Sequence, residues 1–136
     1  VCRAGENIFM KQSDWDESVI LDAAHLPGFT GGDTDLERQV LDVFRASAPE
    51  YLAALGDVAQ ENWKSAAHKL KGAARGIGAW SLARAAERAE HSVAAAGDKV
   101  FRETVLAELH QRLHILNGAI AARIKAIDDA EMIDHE

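Results

Sequence analysis

The chain holds 136 residues, 27% of them charged and 48% hydrophobic, with two prolines and a net charge of −7. Those totals describe one folded domain, not a disordered or fibrous chain. The acidic balance argues against general binding to nucleic acid or to an anionic membrane. No apolar run approaches the ~18 residues needed to cross a bilayer, and the N-terminus lacks the apolar stretch of a signal peptide. With Cys2 as the lone cysteine, a soluble cytoplasmic domain is the expectation.

Residues 1–16 show no sustained period and read as a flexible N-terminal arm, with Trp15 a candidate to pack on the body. Asp16 to Leu26 predicts a short helix through Val19, Ile20, Ala23 and Ala24, stopped by Pro27-Gly28. Phe29 to Asp33 then reads as a Gly-rich loop. Thr34 and Glu37 have the spacing of a capping box, in which each side chain satisfies a backbone donor beside the other. They open a long amphipathic helix marked by Leu36, Val40, Val43, Phe44, Tyr51, Leu52 and Leu55. Pro49 predicts a kink or break in it near Ala48, and Gly56-Asp57 ends it.

The next helix runs from about Gln60 to Ile77, with Arg75 at the negative end of its dipole and Gly76 or Gly78 as its stop. A fourth helix spans about Trp80 to Ala96, burying Leu82, Ala85, Ala86, Ala89 and Val93, with Gly97 as its end. The last runs from about Lys99 to Ile127 through Phe101, Val105, Leu109, Leu116, Ile120, Ile124 and Ile127. Residues 128–136 form an acidic C-terminal tail, expected to fray. The expected fold is therefore all-α: an antiparallel four-helix bundle over residues 17–127 with a short additional N-terminal helix.

The Gln60–Ile77 segment sorts into two faces at about 100° per residue. Trp63, Ala66, Leu70, Ala73, Ala74 and Ile77 lie within roughly 60° of one direction. His68 lies opposite, with Glu61, Lys64, Ser65, Lys71, Gly72 and Arg75 within roughly 60° of it. The imidazole thus projects from the wet side among basic residues. One turn on stands a glycine, which costs about 1 kcal/mol relative to alanine inside a helix. A bare patch beside an exposed imidazole suits the approach of something large.

A neutral imidazole nitrogen is a competent nucleophile, and surrounding positive charge favours the neutral form. Lys71, with Lys69 or Lys64, is placed to offset the charge of an arriving phosphoryl group. The plain alternative for His68 is a solvated histidine with no role. His110 and His114 have a spacing that can chelate a metal, but no third ligand is evident, so no metal site is expected. Arg84 and Arg88 form a basic stripe that reads as a solvated face.

His68-Lys-Leu-Lys-Gly72, followed by Gly78, Leu82 and Glu90, resembles the histidine-containing phosphotransfer (HPt) domain of bacterial phosphorelays. The resemblance extends from roughly Val19 to Arg123 and includes a helix with a Phe44, Pro49, Leu52 pattern. It implies a bundle whose exposed His68 takes a phosphoryl group from an aspartyl phosphate of a receiver domain and passes it to another receiver. It further implies that Lys71 lies beside the phosphohistidine and that Gly72 leaves room for the partner's loops. Lys69 and Arg75 occupy variable family positions; with Lys64 and Ser65 they are candidate binding residues.

The chain has no Gly-x-x-x-x-Gly-Lys-Ser/Thr loop, so the resemblance implies a phosphocarrier and not an enzyme with its own ATP site. No cofactor is expected in this chain, Mg²⁺ being expected on the receiver. The expected partners are receiver domains of response regulators or hybrid histidine kinases, met by a monomer. Two rivals stand: an interaction-only bundle that docks receivers or kinases without transfer, and a metal-binding bundle using His110 and His114. The short length suits a free-standing relay protein, while a start other than Met leaves a fragment open.

Overall fold

A computed structural model describes residues 15–57, 62–92 and 98–134. Cys2 and most of the expected arm, Gln60 and Glu61, Val93 through Gly97, and the last two residues lie outside the described residues. Among the described residues, five helices follow in order: α1 (His25–Thr30), α2 (Thr34–Asp57), α3 (Trp63–Ile77), α4 (Trp80–Glu90) and α5 (Lys99–Asp134). Each of α2 to α4 packs on the next, α5 closes back on α2, and α1 rests on α2. The fold is an all-helical bundle. Only Gly78 and Ala79 separate α3 from α4, so these two packed helices run antiparallel.

Burial follows the helical period. In α2 the inward stripe is Glu37, Leu41, Phe44, Ala48, Leu52 and Leu55, at spacings of three and four. Leu41 belongs to it, whereas Leu36 and Val43 of the expected stripe are 43% and 65% exposed. Leu70, Leu82, Leu109, Leu116 and Ile120 meet that stripe from the other helices and are fully buried. Each such side chain contributes about 1.5–3 kcal/mol on leaving water. Trp63 fills one end of the core, its Nε1 donating to the Ala89 carbonyl at 2.7 Å. The Arg102 guanidinium lies 5.0 Å over its ring.

Several local expectations are corrected. α2 is continuous through Pro49. The proline is exposed, so the carbonyl it leaves unpaired faces water, while Phe44, Ala48 and Leu52 hold the buried side in phase. The cap of α2 sits one residue earlier than expected: Asp33 Oδ1 accepts the Leu36 N–H at 3.1 Å. Glu37 is not used for capping. It is buried and takes Arg123 of α5 in a two-point pair at 2.6 and 2.9 Å.

Residues 16–24 form turns instead of the expected helix. Asp16 Oδ1 accepts the Ser18 N–H and hydroxyl, and Asp22 Oδ1 accepts the Ala24 N–H. These local bonds compete with helical ones and win. The helix starts later, at His25, and contains Pro27, whose missing N–H costs nothing in a first turn. Phe29 and Thr30 belong to this helix, and Gly31 ends it at φ 64°.

The turn segment lies as a strap across the α3–α4 corner. Asp22 N–H donates to the Gly78 carbonyl and Ser81 N–H to the Val19 carbonyl, at 2.9 and 2.8 Å. Glu17 receives Arg88 of α4 and Arg112 of α5, at 2.6 and 2.7 Å. Arg88 is thus tied into the fold and does not form part of a merely solvated stripe. At the other end of the chain, α5 continues through residues 128–134 where fraying was expected. Lys125 pairs with Asp129 one turn on, and Arg38 ties Asp128 to α2.

Candidate functional site

The α3 face expected from periodicity is the face observed. Trp63, Leu70, Ala74 and Ile77 point into the core, joined by Ala67. Lys64, Ser65, His68, Lys69, Gly72 and Arg75 are exposed. The His68 side chain is 62% exposed, so no element among the described residues covers it. Beyond its own helical turn, a Cβ placed on Gly72 would meet no atom within 4 Å. The ground next to the imidazole is open.

His68 nevertheless has a fixed partner. Its Nδ1 lies 2.7 Å from Oε2 of Glu90, the last residue of α4. The other oxygen, Oε1, lies 2.6 Å from Lys71 Nζ. His68 stands ten residues before Gly78 and Glu90 twelve after it, so the antiparallel hairpin brings them level. Alanines at positions 67, 74, 83 and 86 are fully buried and let helices approach closely.

The carboxylate decides the proton arrangement. Burial pushes the Glu90 carboxyl up, but hydrogen bonds from Lys71 and His68, and their charges, outweigh that and hold it below the ordinary range. Glu90 is therefore ionised at neutral pH and accepts only. The hydrogen between it and His68 must sit on Nδ1. In the neutral ring this leaves the Nε2 lone pair free, on the far side from Glu90. An exposed, oriented nitrogen nucleophile results.

Lys71 does not stand free beside the imidazole. It turns to Glu90, and its side chain is only 17% exposed. The carboxylate thus gathers both groups into one cluster of three. Glu90 has no assigned role in the sequence reading, yet a signal existed. It falls four residues after Ala86 and eight after Leu82, on the apolar stripe of α4. An acid on such a stripe requires a cationic or donor partner.

Gly78 holds the corner at φ 79°, and a Cβ there would lie 2.6 Å from His25 Cβ. Only glycine allows both the left-handed turn and the close pass of the strap. His110 and His114 are exposed on α5. Among the described residues no group of three or more His, Cys, Asp and Glu is placed to hold a metal ion. No helix among them is long and apolar enough to cross a membrane.

A family model described as Hpt domain matches residues 39–130. The match contains His68, Lys71, Gly72 and Glu90 and leaves the strap outside. No curated protein and no solved structure matches the chain.

Proposed function

Because the chain belongs to the Hpt domain family, we propose that His68 is its phosphoacceptor, loaded by one receiver domain and unloaded by another. Hpt domains serve phosphotransfer in two-component systems, meet receiver domains in phosphorelays, and form a family of phosphocarriers. The observation that supports His68 in this role is its pairing: Nδ1 engaged by Glu90 at 2.7 Å with the ring 62% exposed.

The Nε2 lone pair attacks the phosphorus of a receiver's aspartyl phosphate. The N–P bond forms as the bond from phosphorus to the acyl oxygen breaks, and the receiver keeps its carboxylate. The ring retains its Nδ1 proton and becomes cationic. Glu90 already faces that proton, so it offsets the new charge without rearranging. Onward transfer reverses these steps with a second aspartate. This chain supplies an oriented nucleophile and clearance at Gly72; Mg²⁺ belongs to the receiver in this reading.

Lys71 neutralises Glu90 in the resting protein and stands one turn from the acceptor ring, where an arriving phosphoryl group adds negative charge. Lys64, Ser65, Lys69 and Arg75 form the exposed polar surround that a receiver meets. The protein acts as a cytoplasmic monomer with no ATP site of its own. Against a docking-only bundle stands the Glu90 bond, since docking alone does not require a ring held by one nitrogen.

The test is incubation with receivers phosphorylated on aspartate. Wild-type protein should gain an acid-labile, base-stable label and lose it to a second receiver, while His68→Gln should take up none. Receiver binding without label on the wild type would favour the docking-only bundle. Label persisting on His68→Gln would move the acceptor elsewhere.

A further inference from the structure

The family match begins at residue 39, yet the strap before it builds part of the surface beside His68. Arg75 lies 5.9 Å over the Trp15 ring, and Trp15 stacks on Trp80 at 5.6 Å. Trp80 in turn donates its indole N–H to Asp22 Oδ2 at 3.1 Å. Glu17, two residues after Trp15, is clamped by Arg88 and Arg112. The Trp15 ring is therefore held by Arg75 and Trp80, and the chain two residues on is tied down through Glu17.

Its position relative to the candidate acceptor follows from helix geometry. Arg75 comes seven residues after His68, which is about 10.5 Å along the axis and about 20° around it. A standard interface covers about 800 Å² per partner, a disc of about 16 Å radius. A partner centred on His68 therefore also reaches Arg75, whose guanidinium packs on the Trp15 ring. Tryptophan and arginine are the side chains that most often dominate binding energy at such surfaces. Exposed Lys64, Lys69 and Arg75, on a chain of net charge −7, suit a partner whose docking face is acidic.

We infer that the strap extends the receiver-docking surface of His68, with Trp15, held between Arg75 and Trp80, as the contact that discriminates among receivers. The inference rests on the carrier reading above. It assigns partner choice to residues that precede the family-matched stretch. An indole at this rim adds contact area to a receiver that matches it and obstructs one that does not.

The probe is a panel of purified receiver domains charged with acetyl phosphate, each titrated against the full chain. For the receiver that transfers best to the wild type, Trp15→Ala should raise the half-saturating concentration about tenfold. The transfer rate at saturation should be unchanged, because Trp15 does not touch His68 or Glu90. Trp15→Phe keeps an aromatic ring between Arg75 and Trp80 and should restore half-saturation to within about twofold. Equal half-saturation in wild type and Trp15→Ala would overturn the inference.

A second measurement is independent of how the variant folds. Unphosphorylated receiver added to wild-type protein should shift the Trp15 indole resonance and leave that of Trp63, which is buried and bonded to Ala89. A Trp15 signal that stays in place would also overturn the inference. Absence of transfer to the wild type from every receiver is a different failure. It would overturn the carrier reading, and this inference with it.

Discussion

Glu90 and His68 sit 22 residues apart on different helices, and their side chains meet at 2.7 Å through Oε2 and Nδ1. The same carboxylate holds Lys71 at 2.6 Å. One buried acid thereby sets the ring's proton on one nitrogen and leaves the other facing solvent.

Removing that acid should release the ring. In Glu90→Ala the Nδ1–H arrangement loses its acceptor, and the ring should drift toward the Nε2–H form that blocks the outward lone pair. Single-turnover labelling from a phosphorylated receiver should slow about tenfold or more. Nitrogen-15 spectra of the imidazole report the tautomer directly. An unchanged tautomer with an unchanged rate would remove Glu90 from its positioning role.

Gly72 separates stability from function. Beyond its own helical turn nothing lies within 4 Å of a Cβ built there, so Gly72→Ala should stabilise α3 by about 1 kcal/mol. Gly72→Leu fills the open ground beside His68 and should weaken receiver binding by about tenfold or more without unfolding the bundle. Urea midpoints and receiver titrations measure the two effects. Undiminished binding by Gly72→Leu would remove the clearance argument.

Gly78 behaves oppositely. Its φ of 79° and the 2.6 Å approach of His25 Cβ make any side chain costly. Gly78→Ala should lose about 1–2 kcal/mol from the left-handed backbone alone, and more from displacing the strap. The near-ultraviolet signal of the Trp15–Trp80 stack should fall with it. A fully stable Gly78→Ala with that signal intact would contradict the described corner.

The strap also carries an acid limb. Arg88 bonding to Glu17 lowers its carboxyl; burial opposes this, and Arg112 adds to the lowering, leaving it at about 2 against an ordinary 4.5. A depressed folded value means the contribution is present above the unfolded value. It is lost as pH falls from about 4.5 toward about 2. Glu17 is 37% exposed, so screening limits the effect to about 0.5–1 kcal/mol. Glu17→Gln should be less stable than wild type at pH 6, with the gap closing near pH 2 in urea titrations. A gap independent of pH would show that the ion pairs do not anchor the strap.

What the sequence made legible is what repeats locally. The α3 face was readable because a strong 3.6-residue period separates Trp63, Leu70, Ala74 and Ile77 from His68. Local spacing assigns Glu37 to Thr34 and gives Glu90 no partner, because the groups that complete them are 86 and 22 residues away. Local spacing holds no record of such pairs. Pro49 predicts a break that is absent, because its steric rule ignores the neighbouring buried stripe that carries α2 past it. Asp16 and Asp22 turned an apparent helix into a strap by bonding their own backbone, a competition that periodicity does not register. The helical end of α5 is not legible locally because part of its support, from Arg38, comes from another helix.

The most direct measurement is a nitrogen-15 spectrum of the histidine rings after loading by a phosphorylated receiver. Phosphate should appear on Nε2 of His68, with the Nδ1 proton retained against Glu90. Phosphate on Nδ1 of His68, or on any of the other histidines, would contradict the account.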